Sequence, residues 1–153
     1  MSHVRQQIRE RFVTLCTGLT LTGSNVFKSK VYVHDDAHLP SLNIYSGPEA
    51  LSDEGSETLA RRQTRAGVIY IEHRFKADGS DTVDDLCDSS CYSVEVAIAA
   101  DPTLAIGLRW CELTETSGIF LSDEAEVEYG MIVQTWEYKF DVDATDPDTI
   151  LNS

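Results

Sequence analysis

A chain of 153 residues, 42% hydrophobic and 25% charged, has the size and composition of one globular domain that needs neither disulfides nor a structural metal for its core. No apolar run approaches the roughly 20 residues of a membrane span, and Met1 to Glu10 carries Arg5, Arg9 and Glu10 with no apolar segment behind it, so neither a bilayer span nor a secretory leader is expected. The formal charge of −14 is uneven: residues 1–76 hold 10 Lys/Arg against 8 Asp/Glu, and residues 77–153 hold 2 against 18, a balance that argues against tight binding to nucleic acid or anionic lipid.

Val4, Ile8, Phe12, Leu15 and Leu19 recur at helical spacing behind a possible Ser2 cap, which predicts a first helix ending near Thr17 or Gly18. Gly18 and Gly23 bracket a Thr-rich stretch, and Lys30-Val31-Tyr32-Val33 then reads as a strand. Pro40, which cannot donate a ladder hydrogen bond, suits the start of another strand, Ser41 to Tyr45. The segment from about 46 to 60 is polar and turn-rich, with little to bury, and is expected to be an exposed loop.

Arg61 to Phe75 alternates, with Ile69, Ile71, His73 and Phe75 on one face and Val68, Tyr70, Glu72 and Arg74 on the other, so a long strand with one buried face is expected. Ser80 or Asp81 can cap a second helix, with Asp84 and Asp85 in its first turn. Its inner stripe is Val83, Leu86, Cys87, Ser90, Cys91, Val94, Ala97 and Ile98, and Asp101-Pro102 stops it. Leu108 to Thr116 and Glu126 to Asp143 read as a hairpin joined through Ser117 to Ala125. Asp141 to Asp148 has the acid density of a calcium loop but lacks its glycine and final glutamate, so residues from about 143 to 153 read as a flexible acidic tail. These elements define a single α+β domain over 1–153, a mainly antiparallel or mixed sheet of four to five strands packed with two main helices.

No segment brings a catalytic set with it. Cys16, Cys87, Cys91 and Cys111 lack the second close pair of a zinc site and read as small buried hydrophobes, reduced in a cytoplasmic setting. His34-Asp35-Asp36-Ala37-His38 is the densest group of possible metal ligands, but its aspartates are also what a turn between strands uses. His73, on an apolar strand face, reads as a satisfied core or interface histidine. Neither a Gly-x-Ser-x-Gly nucleophile nor a Gly-rich phosphate loop occurs, so no enzyme, cofactor or metal is expected. Asp84, Asp85 and Asp88 read as the wet face of the second helix. The split between a mildly basic and a strongly acidic half suits either solubility or head-to-tail assembly of unlike surfaces into a ring.

The order of elements resembles the tail terminator proteins of long-tailed bacteriophages, the lambda minor tail protein U type. The resemblance rests on Val4-Arg5-Gln6-Gln7-Ile8, on Leu39-Pro40-Ser41-Leu42-Asn43-Ile44-Tyr45 before an acidic loop, and on Gly67-Val68-Ile69-Tyr70-Ile71-Glu72. The helix exit Asp101-Pro102-Thr103-Leu104 and a closing strand through Gly130 to Tyr138 complete it. It implies a structural virion protein, a hexameric ring at the head-proximal end of the tail tube that stops tube growth and receives the head connector. The partners implied are further copies of the chain, the tube protein, the head connector and DNA passing through the lumen without specific binding. Glu49, Asp53, Glu54 and Glu57 in the loop, with Arg61, Arg62 and Arg65 after it, are then the expected subunit or tube contacts. Another neck or tail-completion protein, a non-viral acidic adaptor, and a hydrolase built on His34 to His38 are the competing readings.

Overall fold

The computed structural model describes residues 3–28, 39–52, 62–77, 79, 81–101, 103, 104, 106–124 and 127–151. In chain order these form α1 (Val4–Cys16), β1 (Val26–Phe27), β2 (Ser41–Ser52), β3 (Arg62–Lys76), α2 (Val83–Ala99), β4 (Trp110–Thr116), β5 (Phe120–Glu124), β6 (Val127–Asp143) and β7 (Asp146–Ile150). The fold is α+β as expected, with two helices packed on a mixed sheet. Among the described residues the sheet has seven strands where four to five were expected, because three short ones were not counted.

The helices form where their apolar residues repeat. Val4, Ile8, Phe12 and Cys16 of α1 are all buried at four-residue intervals, and Thr17 turns extended before Gly18 at φ 90° ends the helix. His3, rather than Ser2, caps α1, its Nδ1 accepting from the Arg5 amide at 3.1 Å. Thr82, rather than Ser80 or Asp81, caps α2 by accepting the Asp85 amide at 3.2 Å. Every expected inner residue of α2 is buried apart from the half-buried Ala97.

The sheet runs β1-β2-β3-β6-β4, with β1 parallel to β2 and the other pairs antiparallel. Strands β3 and β6 are its spine, paired from Arg62 with Asp143 to Lys76 with Tyr129. The far margin of β6 is lined in turn by β5, β4 and β7. Both helices cover one face. Val4, Ile8 and Phe12 of α1 join Val94 and Ile98 of α2 over Leu42, Ile44, Ile69, Ile71, Trp136 and Tyr138, with Phe12 and Trp136 edge to face at 6.2 Å. Burying each such aliphatic side chain contributes about 1.5–3 kcal/mol. A second cluster of Phe75, Val83, Leu86, Cys87, Cys91 and Ile132 sits under the start of α2, where Gly130 leaves room that a Cβ would take from Val83.

Three expectations change. Residues 46–52, read as loop, extend β2; Gly47-Pro48 lies in a bulge where the register shifts between Ser46 and Glu49, a place where a strand tolerates proline. The Ser117 to Ala125 connection contains β5. The acidic tail is β7, folded back on β6, with the Leu151 amide donating to the Asp141 carbonyl at 2.8 Å. The expected strand at Lys30 to Val33 and the His34 to His38 cluster lie outside the described residues.

Candidate functional site

Of the expected contact residues, Asp53, Glu54, Glu57 and Arg61 lie outside the described residues. Arg62 and Arg65 are three apart on a strand and project from opposite faces, so they do not form one basic patch. Each is engaged within its own chain. Arg62 Nη2 lies 2.7 Å from Asp141 Oδ2, and Arg65 Nη1 lies 3.5 Å from Glu49 Oε1. Glu49 also accepts the Tyr138 hydroxyl at 3.1 Å, and burial together with the Glu49 charge pushes that phenol well above its ordinary range. These residues are internal ties of the β2, β3 and β6 ends.

Asp141 is the centre of the stronger tie, on the face away from the helices. Its side chain is 1% exposed and accepts from Thr64 Oγ1 at 2.6 Å, from Arg62, and from Arg109 Nε at 2.7 Å. Burial alone would raise this carboxyl, but hydrogen bonds from Thr64, Arg62 and Arg109 outweigh it and hold it below the usual carboxylate range. The sequence reading put Asp141 inside the strand ending at Asp143 and also at the head of the acid-rich Asp141–Asp148 segment, and named no partner for it. The alternation of Trp136, Tyr138, Phe140 and Val142 to one face was the signal that the strand continued through it.

A second polar group is buried on the helix side. Ser90 Oγ lies 2.7 Å from His73 Nδ1, His73 Nε2 lies 2.9 Å from Gln134 Oε1, and Gln134 Nε2 reaches Glu95 at 3.5 Å. Gln134 Oε1 can only accept, so Nε2 carries the His73 proton and Nδ1 accepts from Ser90. Burial pushes the imidazole down to about 4, against the weaker upward effect of Gln134. With His73 fully buried and Ser90 3% exposed, this chain fastens α2 to β3 and β6 and offers no nucleophile to a substrate. Cys16, Cys87 and Cys91 are likewise buried free thiols, raised to about 12, 11 and 12, first by burial. Among the described residues no three His, Cys, Asp or Glu side chains converge as a metal site, and no helix is long and apolar enough to cross a membrane.

Two accessible surfaces lie at the two margins of the sheet. Beside β2, an open cleft of about 580 Å³ is lined, among the described residues, by His3, Arg5, Arg9 and Lys28 with Gln6, Tyr45 and Ser46, none of them a carboxylate. Arg5 donates to the Gly47 carbonyl at 2.5 Å and Arg9 to Ser46 Oγ at 3.4 Å, while the Nε atoms of both are buried with no partner among the described residues. Sequence reasoning set Arg5 and Arg9 outside the apolar stripe of α1 but had no means to bring Lys28 beside them. At the opposite margin, Trp110 is 37% and Phe120 58% exposed, with Glu112 and Glu115 exposed between them. Their partners Lys139, Glu137, Thr135 and Met131 all point away from the helices, so these four residues share one face. Outside both margins, α2 presents Asp84, Asp85 and Asp88 beside Tyr92, 69% exposed, and Val96, 53% exposed.

No family model matches the chain, and no curated protein matches it.

Proposed function

We propose that this protein is a structural assembly subunit of the phage tail terminator type: a ring, hexameric by the resemblance, at the head-proximal end of a tail tube. In this reading it halts addition of tube protein, presents a surface to the head connector, lets DNA pass through its lumen, and carries out no reaction of its own. The observation that supports it most is the placement of unlike surfaces at opposite margins of one sheet, cationic beside β2 and apolar-acidic along β4 and β5. A subunit whose two sides differ and complement each other associates head to tail, and such contacts close into rings when the rotation permits. The order of elements that resembles the terminators, and the α+β architecture, agree with it.

The test is assembly. Purified chain is examined by native mass spectrometry and by electron microscopy, alone and with preformed tail tubes. A closed ring, alone or seated at one tube end with tube growth arrested, is the expected result. A chain that stays monomeric in both settings and leaves tube growth unchanged overturns the proposal.

A further inference from the structure

We infer that the cationic cleft beside β2 is a carboxylate-binding socket, and that its occupant is the Trp110-Glu112-Glu115 margin of a second copy of this chain. The inference rests on the ring reading above and names the contact that would build it. The socket places Arg5, Arg9 and Lys28 around one open space whose lining, among the described residues, includes no carboxylate, in a chain of net charge −14. Lys28 has Glu10 at 3.8 Å, a pair left largely to solvent, and among the described residues Arg5 and Arg9 bond only neutral oxygens, the Gly47 carbonyl and the Ser46 hydroxyl. A guanidinium charge left without a counter-ion favours a carboxylate, the acceptor that its fork fits best.

The other half of the contact carries its own mismatch. Glu112 and Glu137 are directly opposite across β4 and β6, with Glu115 further along the same face and Lys139 in register with Trp110. Like charges in direct opposition destabilise a sheet. Two cations brought from a neighbour turn that repulsion into attraction, while Trp110 supplies the apolar anchor that such contacts commonly use. The two surfaces lie on opposite margins of the same sheet, so they cannot satisfy each other within one chain.

A charge swap tests this. Arg9→Glu/Lys28→Glu makes the socket negative, and Glu112→Lys/Glu115→Lys makes the margin positive. Each variant alone is expected to keep the wild-type circular dichroism and sediment as a monomer, the second melting no lower than wild type because it removes the Glu112–Glu137 opposition. An equimolar mixture is expected to recover the wild-type assembly, since alternating copies again set opposite charges at every contact. The milder Arg9→Gln/Lys28→Gln variant weakens association about tenfold and guards against a folding defect in the reversal. Wild-type assembly by either reversed variant alone, or a mixture of folded variants that stays monomeric, removes this contact and leaves the ring reading standing. A wild-type chain that never assembles, alone or on tubes, overturns both.

Discussion

The two faces of the β3–β6 spine solve the problem of a buried polar group in opposite ways. On the helix side, His73 is kept neutral, its two nitrogens matched to Ser90 and Gln134. On the other face Asp141 is kept charged, surrounded by Thr64 and Arg62 of β3 and by Arg109 just before β4. The neutral chain needs one hydrogen bond at each nitrogen and packs among apolar side chains. The charged group needs several donors at once, since a buried charge stays charged only when its lone pairs are met. The same strands therefore hold one cluster that fails when it gains a proton and another that fails when it loses a donor.

The most direct way to break that contrast is Asp141→Ala. It removes the shared acceptor of two guanidiniums, so that Arg62 of β3 and Arg109 before β4 lose their tie to β6, and is expected to cost about 3 kcal/mol in chemical denaturation. The unpaired arginines can partly rehydrate, which keeps the figure at the low end for a broken buried pair.

Acid titration then separates the clusters by pH. His73 is held near 4 against an ordinary 6.5, so the native state prefers it neutral. Its contribution is complete above 6.5 and is lost as pH falls from 6.5 towards 4, in total about 3 kcal/mol at 1.36 kcal/mol per pKa unit. Asp141 is lowered below its ordinary 3.8, so its contribution persists through that window and is lost only at lower pH. Urea midpoints measured across pH should fall in two stages, and His73→Gln should erase the first alone. The smallest effect is expected from Thr64→Val, about 1 kcal/mol for one lost hydrogen bond, with the acid step of Asp141 moved upward in pH. An unchanged step would show that the arginines alone set that carboxyl.

Much of this architecture was legible because periodicity reports burial. The stripe of α2, the alternation at Ile69, Ile71 and His73, and the long run ending at Asp143 each appear close to where they were read. The failures came where a local signal was outvoted by pairing. Gly47-Pro48 has turn chemistry, but a bulge absorbs the proline and Gly47 admits Val68 and Tyr70 where a side chain would clash. The acids after Phe140 looked solvated because their counter-ions, Arg62 and Arg109, are distant in sequence. The three-residue spacing of Arg62 and Arg65 already placed them on opposite faces, information that their density as a basic group obscured. The cleft was illegible for a different reason: it joins α1 to Lys28 and the β2 edge only once the chain has folded.

The lining of the outer margin of β6 by separate pieces has one more consequence. β5, β4 and β7 are 5, 7 and 5 residues long, and the chain leaves and re-enters the sheet between them. A protein strand seeking to zip onto this border finds only brief, interrupted runs of backbone donors and acceptors, which is how natural sheets discourage open-ended stacking. Any neighbour that meets this border is recognised by side-chain shape and charge, so the copy number of an assembly is left to the angle between subunits.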